Sequence, residues 1–394
     1  MKENLKERLI VRDFGPVRNL DIEIRPLTLF IGTQGSGKST VSKLLTICRD
    51  LRWWLQILEN ENTMKPFIDF SIDEYFKDNS YIQYLYDDIE ILYQESSFSF
   101  KSQNETNEKV FKQALKMQIA KSATSLLERT GLTENNLLDP HTLNLLKANS
   151  RLGLYILAER NLVGNLSNSL ASILLHQIPL SNPLLEYMSL FEKAKKDYPS
   201  YYVPFFNVKF VKKEGRERIE LDGKNTDLPL SACSSGLQSA LPMLMVIDYA
   251  LKTNCFNAFV IEEPEQNLFP KNQFEVLSFI TSKFWTKKTC QFIITTHSPY
   301  MLSSLNMLML AYRLHQNKDL REQVEEIVKH GVTVNPNNVA VYSLNPDNEE
   351  EYCNNLISEK TGLISINELD SVSEIIGDDF DRLYTLYLQT KKKK

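Results

Sequence analysis

An α/β fold with a mixed central sheet, an antiparallel β subdomain and a helical insertion is predicted by three observations. From residue 236 onward helix and strand patterns alternate, and the strands AFVIE (258–262) and QFIITT (291–296) have apolar centres without alternation, as strands covered on both faces have. Near the N-terminus an apolar strand runs into a glycine-rich loop and then into a helical pattern. Residues 66–101 and 201–222 carry aromatic or alternating runs suited to antiparallel pairing.

Taken in order, residues 9–31 read as two strands, LIVRDF and LDIEIRPLTLFIG, joined at a Gly15-Pro16 turn, and the second enters the glycine-rich loop directly. Apolar residues at helical spacing predict a helix from Ser39 to about Leu58. The runs FIDF and IEILYQESSFSF predict a small antiparallel sheet within 66–101. Residues 105–149 are polar and helix-like, with stops at Gly131 and Pro140, and read as an insertion. A strand is expected at 152–160, helical periodicity over 162–198, a hairpin turning at Glu214-Gly215, and helices at about 236–252 and 271–285. No repeat is visible, and no heptad run is long enough for a coiled-coil arm.

With 394 residues, 42% of them hydrophobic, the chain can bury a sizeable core without staples. Its cysteines, Cys48, Cys233, Cys255, Cys290 and Cys353, are odd in number and form no CxxC pair, so neither a disulfide framework nor a zinc site is expected and a reducing cytoplasm fits. The opening MKENLKERLI lacks the apolar run of a signal peptide, and no segment is apolar enough to span a bilayer, which excludes a transporter's membrane domain. A net charge of −5 argues against an all-round basic surface, leaving nucleic acid as a candidate partner only through a local patch. The basic run Lys391 to Lys394 reads as a solvated tail.

Four motifs carry chemistry. Gly32-Thr33-Gln34-Gly35-Ser36-Gly37-Lys38-Ser39 matches the phosphate-binding loop G-x-x-x-x-G-K-[ST]. Its glycines let backbone N–H groups turn toward phosphate oxygens, and the helix that starts there, with Thr40 in its first turn, adds the positive end of its dipole. Lys38 would reach the terminal phosphates of ATP and the Ser39 hydroxyl would ligate Mg²⁺. Ala258-Phe-Val-Ile-Glu262-Glu263-Pro264-Glu265 is an apolar strand ending in adjacent carboxylates, with Glu262 assigned to the metal through water and Glu263 to the base that polarises an attacking water. Phe292 to Pro299 is a second buried strand delivering His297 as a γ-phosphate sensor. Ser234-Ser235-Gly236-Leu237-Gln238 opens a helix and makes a second anion cradle.

The order phosphate loop, Ser-Ser-Gly-x-Gln, Glu-Glu strand, Thr-Thr-His resembles the ABC-type ATPase head over residues 8 to about 305. Glu262-Glu-Pro-Glu265, Gln266 to Pro270 and Thr296-His-Ser-Pro299 look like the OLD and RecF branch, whose members are common in antiphage systems. The resemblance implies a P-loop NTPase fold with parts at 1–60 (phosphate loop), 61–150 (insertion), 151–230 (helical lobe and hairpin), 231–310 (signature, Glu-Glu and His motifs) and 311–394 (α/β extension). It implies Mg²⁺-dependent ATP hydrolysis between heads paired head to tail, with Ser234 or Ser235 of one copy completing the site of the other. It also implies a D-loop near Glu265 to Leu268, and Glu159 and Arg160 on the γ-phosphate side. Relatives often continue into a TOPRIM nuclease domain, and the 97 residues after His297 are read as lacking one. The expectation is therefore a regulatory ATPase that controls a separate effector such as a nuclease in antiphage defence. The alternative is a RecF-like repair ATPase on duplex DNA.

Overall fold

Pro26 divides what reads as one long strand. β1 (Glu7–Phe14) and β2 (Val17–Glu23) form a hairpin, while β3 (Leu27–Gly32) belongs to a different sheet. Proline has no N–H to continue a ladder, so the alternating and the fully apolar halves of that stretch separate at it. The computed structural model describes residues 7–102, 111–113, 115–116, 153–166, 180–213, 216–221, 227–254, 256, 258–287, 289–348, 351–365, 380 and 382–383.

The helix expected from Ser39 to Leu58 is also two, α1 (Lys38–Cys48) and α2 (Leu51–Leu58). Asp50 stops the first and caps the second, its carboxylate accepting from the Arg52 backbone N–H at 2.8 Å. FIDF, read as β-type, lies instead in α3 (Lys65–Asp69). There Phe67 is buried edge-on to Trp53 at 5.7 Å and stacked on Phe98 at 5.5 Å, a tertiary preference that overrides the local one. β4 (Tyr81–Tyr86), β5 (Ile89–Gln94) and β6 (Ser97–Ser102) are antiparallel as expected. β4 also pairs with β1, giving a five-stranded sheet of order β2-β1-β4-β5-β6. Of the helix-like insertion at 105–149, only 111–113 and 115–116 lie within the described residues, and these are helical.

β7 (Gly153–Ile156) ends earlier than the strand expected at 152–160, and a single 3-10 turn follows at Ala158–Asn161. Then come α4 (Leu162–Leu166) and α5 (Asn182–Asp197). The expected hairpin is β9 (Val208–Lys213) against β10 (Arg216–Leu221), flanked by β8 (Ser200–Val203) and β11 (Asp227–Leu228) in a four-stranded sheet. The remaining elements are α6 (Ser235–Thr253), β12 (Ala258–Glu262), α7 (Pro270–Thr286), β13 (Gln291–Thr296), α8 (Pro299–Leu314), α9 (Arg321–Ile327), β14 (Val339–Leu344) and β15 (Cys353–Asn355).

The central sheet has the order β15-β14-β3-β13-β12-β7, parallel except for its β15 edge. Every residue of β3, β12, β13 and β14 is buried, which is why those segments are apolar without alternation. This is the expected α/β fold with a mixed central sheet and antiparallel sheets beside it.

A buried polar network ties the N-terminal sheet to this core. The Arg49 guanidinium donates to both Glu7 oxygens at 2.7 and 2.9 Å, and Tyr84 and Gln291 add donors at 2.8 and 3.3 Å. Such a pair is held together by geometry, since neither charge could remain buried alone.

Candidate functional site

Register decides where the motifs meet. In the parallel strands Glu262 sits opposite Thr295, Thr296 opposite Ile31, and Gly32 opposite Leu344, so the ends of β3, β12, β13 and β14 share one edge of the sheet. That carboxyl edge is where open α/β sheets bind ligands.

The phosphate loop leaves β3 at Gly32 and enters α1 at Lys38. A side chain at Gly32 would come within 2.3 Å of the Leu344 carbonyl, and Gly37, at φ +92°, has the Tyr352 hydroxyl 2.6 Å from where a Cβ would sit. Thr33, Gln34, Gly35 and Ser39 are exposed, whereas Ser36, Gly37, Lys38 and Thr40 are buried. The Lys38 ammonium donates to the carbonyls of Gly32 and Thr33 at 2.8 and 2.7 Å and to Ser36 Oγ at 3.3 Å. Burial lowers it to about 8, while Glu263, Glu262 and Glu265 act in the opposite sense. Those three carboxylates are thus near enough to act electrostatically on the loop lysine.

Glu262 is buried, with one oxygen 3.3 Å from the Ala158 N–H and the other, Oε1, buried without a hydrogen-bond partner. An orphaned carboxylate oxygen beside a phosphate loop has the hard-oxygen chemistry that Mg²⁺ takes, and with the exposed Ser39 hydroxyl the donor set fits that ion. Among the described residues no group of three or more His, Cys, Asp or Glu could hold a metal ion.

Glu263 has φ +43° and donates its N–H to the Thr295 carbonyl at 2.9 Å, which turns its side chain out of the ladder. Its carboxylate lies 3.1 Å from His297 Nε2. Hydrogen bonding to His297, opposed by partial burial and reinforced by the charge of Lys38, holds the Glu263 carboxyl below the usual range. Glu265 behaves oppositely: burial raises it, while the Thr296 hydroxyl at 2.5 Å and the His297 N–H at 3.1 Å hold it in place. Two carboxylates two residues apart therefore have different characters, one held low beside His297 and one fixing the backbone that carries His297.

Arg160 departs from its expected place on the γ-phosphate side. It is fully buried and donates to the carbonyls of Leu157 at 3.1 Å, Glu262 at 2.6 Å and Glu263 at 2.5 Å. It braces the Glu-Glu turn from behind, satisfying carbonyls left without a ladder partner where β12 ends. Glu159, beside it, is exposed. Replacing Arg160 with methionine is expected to cost roughly 2–4 kcal/mol by orphaning those carbonyls. A denaturant titration showing a loss below about 0.5 kcal/mol would contradict that role.

At the serine motif, Ser234 caps α6, its hydroxyl accepting from the Leu237 N–H at 3.4 Å. Ser234 and Ser235 are exposed. The Gln238 amide is committed to the carbonyls of Ser231 and Cys233 at 3.1 and 2.8 Å, so it shapes its own loop. Gly236 allows Asn267 and Leu268 to approach, with the Asn267 carbonyl 2.6 Å from where a Cβ would sit. α6 packs on α4, α5 and the turn at Ala158–Asn161, whereas α1 packs on β3, β7, β12 and β13. The structure thus brings Lys38, Glu262, Glu263, Glu265 and His297 together and carries the serines on a different set of elements.

Sequence reasoning missed Tyr352, whose buried hydroxyl donates to the Ser36 carbonyl at 2.5 Å, and Gln273, whose carbonyl accepts from Ser298 Oγ at 2.5 Å behind the histidine. Neither belongs to a local motif, so only the fold reveals them. The reading of the last 97 residues also overlooked an Asp-x-Asp, Asp379-Phe380-Asp381, whose aspartates lie outside the described residues. A cavity of about 660 Å³ opens between Trp285, Tyr312, His315, Arg321 and His330, and no motif residue lines it. No described helix is long and apolar enough to cross a membrane.

The family described as "AAA domain, putative AbiEii toxin, Type IV TA system" matches residues 27–303. Among solved structures the chain is similar to the SMC head domain from Thermotoga maritima, with 15% identity over 76% of this chain and 92% of that one and a TM-score of 0.37. It is also similar to an SMC head bound to the C-winged helix domain of ScpA, with 13% identity, 76% and 92% covered and a TM-score of 0.38. A third is an SMC head with an extended coiled coil bound to the C-terminal domain of ScpA derived from Pyrococcus furiosus, with 13% identity, 76% and 91% covered and a TM-score of 0.36. A search of curated proteins gives no match.

Proposed function

This chain belongs to the AAA-domain ATPase family that matches it over residues 27–303, and on that premise we propose that two copies pair head to tail around ATP and thereby control a separate effector in antiphage defence. The observation that carries this reading is the meeting of Lys38, Glu262, Glu263 and His297 at one sheet edge, with Ser234 and Ser235 exposed on α6, away from the packing of α1. Serines that face solvent at a helix N-terminus are donors suited to the phosphate held by another copy.

In this mechanism the loop N–H groups from Gly35 to Ser39 cradle the phosphates and Lys38 exchanges its carbonyl partners for phosphate oxygens. Ser39 and Glu262 would hold Mg²⁺, which would neutralise charge on the phosphate oxygens. Glu263 takes a proton from the attacking water, and His297 both orients Glu263 and faces the terminal phosphoryl group. Pairing that closes on ATP and relaxes after hydrolysis is a population shift, driven by contacts that only the γ-phosphate makes.

The family description names a toxin and a TA system, and a two-component arrangement of that kind supports a partner protein as the effector, a nuclease by our reading. The insertion at 61–150 is the docking element we favour, and the cytoplasm the compartment. Light scattering with ATP is expected to show a dimer for the wild type, and a monomer that still binds ATP when Ser234 and Ser235 are both replaced by alanine. Wild-type protein that stays monomeric with ATP, or a double variant that pairs normally, would sink the pairing. ATP-independent, salt-sensitive binding to duplex DNA with no co-purifying protein would favour the RecF-like alternative instead.

A further inference from the structure

The phosphate loop is braced by a residue from the far end of the chain, beyond the family match at 27–303. Tyr352 lies in the turn between β14 and β15, and its carbonyl closes that turn by accepting from the Asn345 N–H at 2.8 Å. β14 is anchored along β3 in the central sheet, from Val339 opposite Leu27 to Leu344 opposite Gly32. The tyrosine is only 1% exposed, and its hydroxyl donates to the Ser36 carbonyl at 2.5 Å. Where a Gly37 Cβ would sit, that hydroxyl is 2.6 Å away and Val17 Cγ2 3.1 Å away, so the loop is backed by both the C-terminal turn and the β1–β2 turn.

A peptide plane carries its C=O and the next N–H in opposite directions. A Ser36 carbonyl pinned on one side by Tyr352 therefore aims the Gly37 N–H to the other, and Gly37 at φ +92° can take that orientation without strain. Loops that bind phosphate work by presenting successive N–H groups in fixed directions. We infer that Tyr352 is a positioning residue for phosphate, holding the Ser36–Gly37 peptide so that the loop is preorganised to receive the nucleotide. Through it, the C-terminal β14–β15 turn is mechanically linked to nucleotide affinity. This inference rests on the reading that the Lys38 loop binds ATP.

The test is Tyr352→Phe in the full chain, which keeps the buried ring and removes only the hydroxyl that donates to Ser36. Affinity for ATP and for inorganic tripolyphosphate is expected to fall together, about 5- to 20-fold. KM for ATP should rise by a similar factor with kcat little changed, because the hydroxyl touches loop backbone and no reacting atom. Amide exchange at residues 33–39 should quicken, and the stability lost without ATP, from the Ser36 carbonyl left without its donor, should be smaller than the loss of ATP binding. Unchanged affinity in the variant overturns the inference. So does a loss of affinity accompanied by an equally large loss of ATP-free stability, which would make Tyr352 a strut of the fold. Wild-type protein that binds neither ATP nor tripolyphosphate would instead overturn the nucleotide reading itself.

Discussion

Lys38→Ala is expected to weaken ATP binding by about 100-fold or more and to abolish hydrolysis, the loss expected when a charge-assisted phosphate contact worth roughly 3 kcal/mol is removed. The ammonium already sits among three oxygen acceptors at the loop, so it needs only to exchange partners to reach a phosphate. Its titration gives a second signature. Burial brings Lys38 down to about 8 from an ordinary 10.5, and phosphate oxygens would push it back up. Binding above pH 8 therefore takes up a proton, and affinity is highest below about pH 8 and declines as pH rises through it. Folding responds with the opposite sign. Between about 8 and 10.5 the unfolded chain keeps the Lys38 proton that the folded chain has released, so this group makes stability rise with pH over that window. Calorimetric ATP titrations and thermal melts from pH 7 to 10 read the two slopes, and both should flatten in the Lys38→Ala protein. Wild-type turnover in that variant would remove the phosphate-loop assignment altogether.

The parts of this site that were legible in the sequence are those where local residue types meet a local physical demand. AFVIE and QFIITT are strands with the expected bounds because the centre of a strand covered on both faces favours an apolar run, and their buried polar residues, Glu262, Gln291, Thr295 and Thr296, fall at the strand ends. The loop from Gly32 to Ser39 was legible because close approach excludes side chains at Gly32 and Gly37 and Gly35 takes a positive φ. What was hidden depends on contacts between distant segments. β1 pairs with β4 some 70 residues later, and β14 lies against β3 across about 300 residues, with no pattern in any of these strands naming its neighbour. Family resemblance alone places Arg160 on the γ-phosphate side, yet with no exposure and three backbone carbonyls to satisfy it works from inside. FIDF had strand-like composition, but Phe67 gains more from an aromatic cluster with Trp53 and Phe98 than from a ladder.

Glu263→Gln should slow hydrolysis by about 10²- to 10⁴-fold while leaving ATP affinity near wild type, since the amide keeps the shape and loses only the ability to take a proton. Hydrogen bonding to His297 and the Lys38 charge keep this carboxyl ionised well below neutrality, so it contributes no acid limb to the rate profile above about pH 4.5. His297→Ala removes the partner at 3.1 Å that orients the carboxylate, and should slow turnover by a comparable factor. If the two residues act as a unit, the double variant is scarcely slower than either single one, because each substitution already disables the same proton transfer. Additive losses would mean that His297 acts elsewhere, on the phosphoryl group alone. Head pairing supplies an independent readout. A protein that binds ATP but cannot cleave it should accumulate as the ATP-bound dimer, where the wild type cycles back to monomer as ATP is consumed. Single-turnover kinetics and light scattering on the same samples distinguish these outcomes. A Glu263→Gln protein that hydrolyses ATP at the wild-type rate would transfer the role of base to another group, and the carboxylate nearest in chain, Glu265, is buried and already bonded to Thr296 and the His297 backbone.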